Sequence, residues 1–141
     1  MSTAEPAYAQ QLHPPLEMYD LAIPLTGGLA HLSRCAGALA DAGINIDAVK
    51  CPSFDTATTC RLLVQDGPSA VRALTDAGIS AVTARPVLVY SLPNRPGTLA
   101  RYTQALLSRS VRIDFLYQAT AKGMVVGAPD LDAVRAAFAA A

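Results

Sequence analysis

Asn94, Arg95, Pro96, Gly97, Thr98 and Leu99 join the end of an alternating apolar run to the start of an amphipathic one. A strand that turns straight into a helix presents free backbone N–H groups and the positive helix end at the turn, which suits an anion. Gly97 permits close approach by a ligand, while Pro96 gives up a donor and stiffens the loop. A carboxylate fits such a turn. An ammonium on the same molecule needs acceptors, and the Asn94 side-chain oxygen is one. Taken alone, Pro-Gly at a strand–helix turn serves equally well simply to turn the chain.

Other chemistry is hard to assemble from these residues. There is no Ser/His/Asp set, no Cys/His pair with an orienting group, no carboxylate pair placed for acid–base work and no phosphate loop. The expectation is therefore a protein that is not an enzyme, with no catalytic residues and no cofactor. His13 and His31 lack a plausible third ligand, and Cys-x-x-Cys is absent, so no metal site is expected. Eleven basic residues balance eleven acidic ones without a basic run, which removes the electrostatic footprint of a nucleic-acid binder. The third strands lack the exposed aromatics of an RNA-recognition sheet, and Tyr90, Phe115 and Tyr117 are expected in the core. No segment approaches the length of a membrane span, and residues 1–15 do not have the form of a secretory signal. Cys35, Cys51 and Cys60 are an odd set, read as reduced thiols in a cytoplasmic protein. Cys51 and Cys60 flank a hairpin turn and are expected to be buried or idle.

The elements that position the loop are stated twice. Residues 43–47 read Gly-Ile-Asn-Ile-Asp and residues 110–114 read Ser-Val-Arg-Ile-Asp, an offset of 67 that also aligns Leu32 with Leu99 and Leu39 with Leu106. After a shorter hairpin the offset falls to 63, aligning Ala70-Val71-Arg72-Ala73 with Ala133-Val134-Arg135-Ala136. Alternation and helical spacing predict strands at 19–25, 44–51, 58–65 and 79–84, with helices from Leu29 to Gly43 and from Pro68 to Gly78. The second copy reads strand 87–92, helix 97–109, strands 111–118 and 122–127, and helix 130–140 capped by Asp130. Three spans follow: a flexible N-terminal arm over 1–17, a first module over 18–85 and a second over 86–141. Arg85-Pro86 is the expected linker. The second module lacks a counterpart of strand 79–84, which leaves strand 87–92 with a bare edge for the arm, around 7–12, or another chain to cover.

Leu92-Pro93-Asn94-Arg95-Pro96-Gly97-Thr98-Leu99 followed by Ser110-Val111-Arg112-Ile113 resembles the ACT-domain pattern of strand, Asp/Asn-x-Pro-Gly-x-Leu loop, helix and Gly-x-Asn-Ile. Gly43-Ile44-Asn45-Ile46 matches the last element more closely. The resemblance covers 18–141 and is to small tandem-ACT proteins. It implies an α+β fold of two tandem ferredoxin-like βαββαβ modules with antiparallel sheets, the second lacking its last strand. It also implies amino-acid binding and allosteric regulation, with Asn45 contributing across the module junction. Asp47 alternates onto the same face as Asn45, where it is expected to add charge toward the ammonium. The first module's counterpart of the Asn94 loop is Gly27-Gly28-Leu29-Ala30, and the counterpart of Asn45 is Arg112. This second set (Gly27, Gly28, Leu29, Arg112) has lost its matched polar groups, so one competent site per chain is expected. The glycine pair could equally form an open backbone nest for an anion.

The expected function is a non-catalytic sensor of a small amino acid, a homodimer acting on itself or on a regulated enzyme. The competing reading is an oligomerisation or interaction scaffold with a vestigial pocket. Neither nucleic acid nor membrane is an expected partner.

Overall fold

The computed structural model describes residues 14–120 and 123–141. The expected arm contact at 7–12 lies outside them. The order is β1 (Leu16–Leu25), α1 (Gly28–Asp41), β2 (Ala48–Lys50), β3 (Thr58–Val64), α2 (Gly67–Asp76), β4 (Thr83–Ser91), α3 (Thr98–Ser108), β5 (Phe115–Gln118), β6 (Gly123–Gly127) and α4 (Leu131–Ala139). Two compact units divide the chain, Glu17–Pro86 and one containing Val87–Ala141. The strands pair antiparallel, as expected of this α+β class.

In the unit Glu17–Pro86, β3 lies between β1 and β2, with Leu21 opposite Leu62 and Val49 also opposite Leu62. The alternation of β1 sends Leu21, Ile23 and Leu25 toward the helices, where they join Cys60, Leu62 and Val64 of β3. Cys35 and Leu39 of α1 and Ala70 and Leu74 of α2 close that core from above. In the unit Val87–Ala141, β6 lies between β4 and β5, pairing Leu88 with Val126 and Tyr117 with Val125. Leu88 and Tyr90 meet Tyr102, Leu106, Val134 and Phe138, and the Phe138 ring centroid sits 4.6 Å from Tyr90 and 5.0 Å from Tyr102. Tyr90 and Tyr117 are buried, as their strand positions require, and Phe115 is half-buried. Val87 and Val89 are also buried, so the strand is apolar and covered on both faces.

Two of the expected strands begin late, for one physical reason. Beyond α1, Gly43 takes a left-handed φ of 74°, its N–H donates to Ala40 and the N–H of Ile44 donates to Leu39. This Schellman closure consumes the Ile44 donor, so the strand expected at 44–51 is confined to Ala48–Lys50. Ser110 and Val111 close α3 in the same way, and the strand expected at 111–118 starts at Phe115. Beyond α2, Gly78 and Ile79 repeat the motif and Ala81 has a φ of 63°, which no strand sustains. The separate strand expected at 79–84 is therefore corrected. Extended backbone begins at Thr83 and continues to Ser91, so Arg85 and Pro86 lie within β4 and not in a linker.

The reading of Cys51 and Cys60 as idle thiols is also corrected. They form a disulfide with Cα atoms 4.5 Å apart, because antiparallel hairpin ends place them side by side. Cys35 is the free cysteine and is buried. Among the described residues, no helix is long and apolar enough to cross a membrane, and no group of three His, Cys, Asp or Glu could hold a metal ion.

Candidate functional site

Gly97 caps α3 in a left-handed conformation, φ 91°, which explains a glycine at that position. It leaves the helix start bare: no side chain caps it and its first turn carries no acidic residue. The loop before it is tight, with the Arg95 N–H donating to Pro93 (3.2 Å) and the Thr98 N–H to Arg95 (3.3 Å). Asn94, Arg95, Thr98 and Leu99 line a cavity of about 210 Å³ together with Leu92, Pro93, Gln118, Gly123 and Met124. Pro96 and Gly97 shape the loop without lining the cavity. Leu99, in the first turn, is 56% exposed.

Gln118 and Met124 were not singled out from sequence. The signal that could have found them is strand pairing. Ser91 at the end of β4 lies opposite Gly123, and Gln118 lies opposite Met124, so the β5–β6 hairpin ends where the Asn94 loop begins. The cavity thus combines a helix N-terminus, one guanidinium, two amides and an apolar wall. Among the described residues none of its lining is acidic. That set favours a small molecule with an anionic end and hydrogen-bond donors at the other.

Asn45 and Asp47 lie in the unit Glu17–Pro86, and the structure brings them together: Asn45 Nδ2 donates to Asp47 Oδ1 at 2.8 Å. Asn45 lines a cavity of about 430 Å³ with Ala42, Gly43, Ile44, Gln65, Asp66 and Ser69. Asp66 caps α2, accepting from the Ser69 N–H at 3.1 Å and the Ser69 hydroxyl at 2.7 Å. The Ser69 side chain and backbone hold the Asp66 carboxyl below the usual carboxylate range, with a smaller push from Arg72.

The glycine set is built differently. The Thr26 and Gly27 N–H groups both point at His31 Nδ1, at 3.3 and 3.5 Å. Both contacts use Nδ1 as the acceptor. His31 thus has a partner that sequence did not reveal, and it occupies donors that an anion nest would need. Leu29 is 65% exposed, and Arg112 sits 3.4 Å from Asp114 with its side chain 81% exposed.

No protein-family description matches this chain, and no curated protein does. Solved structures do. The protein BT0572 from Bacteroides thetaiotaomicron superposes with a TM-score of 0.71 at 23% identity, over 88% of this chain and 86% of that one. The regulatory subunit of aspartate kinase from Thermus thermophilus gives 0.63 at 18% identity, over 90% and 96%. The fold is of the ACT type. E. coli aspartokinase III in complex with lysine and aspartate gives 0.51 at 15% identity, over 88% of this chain but 30% of that enzyme. At these identities the likeness is one of ACT-type architecture.

Proposed function

We propose that this chain is a non-catalytic regulatory protein that binds a small amino acid at the Asn94 loop. The observation that carries the reading is the uncapped start of α3, which opens beside a 210 Å³ cavity with Arg95 on its wall. The ligand's α-carboxylate takes the first-turn N–H groups of α3 and the Arg95 guanidinium. Its ammonium takes the side-chain oxygens of Asn94 and Gln118, and its side chain lies against Leu92, Leu99 and Met124. The volume is below that of a pocket for a drug-sized molecule, which favours a small ligand. Asn45 lines a separate cavity and donates to Asp47, and alanine variants of the two test the role that the resemblance and strand alternation give them. The set Gly27, Gly28, Leu29 and Arg112 is proposed not to bind, because His31 already occupies the turn's donors.

Architectural likeness to a regulatory subunit of aspartate kinase, and to an aspartokinase in complex with lysine and aspartate, supports an amino-acid-responsive role. In that role the protein works in the cytoplasm as a homodimer, alone or with an enzyme that it regulates. Ligand affinity that differs between two quaternary states is the coupling such regulation needs.

A thermal-shift screen of the proteinogenic amino acids tests the proposal. A ligand at a hundredfold its Kd adds about 2.7 kcal/mol to the folded state, a shift of several degrees. One or a few amino acids should produce it, and Arg95→Ala should remove it. No shift from any amino acid would favour the scaffold reading instead.

A further inference from the structure

We propose that the Cys51–Cys60 disulfide is a redox latch that holds the loop 52–57 over the Gly27-Gly28 turn, so that thiol state sets access to that turn. The proposal does not rest on a ligand at the Asn94 loop. Four observations carry it. In the structure the offset falls from 67 (Asp47 to Asp114) to 64 (Leu63 to Gly127) across this hairpin, so the first copy carries three residues more than the second. Those extra residues lie in the loop that the disulfide closes, between cysteines nine positions apart. The loop reaches the turn: the Phe54 carbonyl oxygen lies 3.3 Å from where a Cβ on Gly28 would stand. Finally, the hydrogen bonds seen within the loop are local, from the Asp55 N–H and the Thr56 hydroxyl to Ser53 Oγ, each 3.3 Å long, and the Phe54 side chain is 43% exposed. Covalent closure at the loop's base adds a tether to these local bonds.

The two sulfurs differ in access. Cys60 is fully buried in β3, whereas Cys51 is half-buried just beyond β2. A thiolate of a dithiol reductant attacks the Cys51 sulfur, the S–S bond breaks, and Cys60 leaves as a thiolate that takes up a proton. The reductant's second thiol then attacks the mixed disulfide, releasing Cys51 as a thiol and the reductant as its own cyclic disulfide. Two electrons and two protons pass to the protein. Cys35 stays out of the exchange, since burial raises its thiol pKa and keeps it protonated. In a glutathione-buffered compartment a disulfide of this kind is transient and suited to signalling.

Hydrogen-exchange mass spectrometry on the full chain, oxidised and after dithiothreitol, tests the latch. Amides at 26–31 and 52–57 should exchange about tenfold faster after reduction, with 92–99 unchanged as an internal reference. Cys51→Ser should exchange like the reduced wild type with or without dithiothreitol. Equal rates at 26–31 in both redox states would overturn the proposal. So would a non-reducing peptide map in which Cys51 and Cys60 remain thiols after oxidant treatment.

Discussion

At the scale of single residues, three side chains carry consequences that can be measured. Ser110 stands where the other two Schellman closures use Gly43 and Gly78, yet its φ is 55°. A side chain in the left-handed region costs about 1 kcal/mol, so Ser110→Gly should stabilise the protein by roughly 0.5 kcal/mol in urea unfolding. Among the described residues Asp20 is a fully buried carboxylate, held by Arg61 at 2.6 Å across the β1–β3 pair. Removing Arg61 takes its paired charge from a buried carboxylate, and Arg61→Ala should cost on the order of 3 kcal/mol by the same measurement. Asp66 has a depressed pKa in the folded state, so its cap contributes above the ordinary carboxylate range and is lost as pH falls through the folded value. The stability gap between wild type and Asp66→Ala should therefore be full at neutral pH and shrink on acidification.

At the scale of elements, the sequence reading was accurate wherever periodicity and a stop signal agreed. The helices at Gly28–Asp41 and Gly67–Asp76 end at the glycines that mark their termini, and Asp130 caps α4 by accepting from the Ala133 N–H at 3.1 Å. The late strand starts were not legible, because a Schellman closure spends a strand donor without disturbing apolar alternation. That Cys51 and Cys60 flank one hairpin was legible, but their bonding was not: two thiols brought near by a turn can stay reduced. Within the candidate site, the loop Asn94–Leu99 was readable from Pro-Gly and the helix pattern, but Gln118 and Met124 needed the β5–β6 register. That register is itself pinned by shape. Phe115 pairs with Gly127 and its ring lies over the glycine, where a Cβ would collide with it. Gly127→Ala should thus destabilise by about 1–3 kcal/mol, seen as a lower Tm.

At the scale of the whole molecule, a repeated plan has produced two unequal units. Each has strand, helix, two strands and helix, but their strand–helix turns are finished differently. Both helix starts follow a glycine with no side-chain cap, but in one the Thr26 and Gly27 N–H groups are taken by His31 Nδ1 and the Phe54 carbonyl lies near Gly28. In the other, Gly97 leaves the helix start open beside a cavity. That inequality is the reason to expect one amino-acid site per chain, and titration calorimetry tests it directly. With the amino acid that gives the largest thermal shift, wild type should bind one equivalent per chain, Arg95→Ala should bind at least about tenfold more weakly, and His31→Ala should leave the Asn94-loop affinity unchanged. Two equivalent sites per chain, or full affinity in Arg95→Ala, would contradict the account.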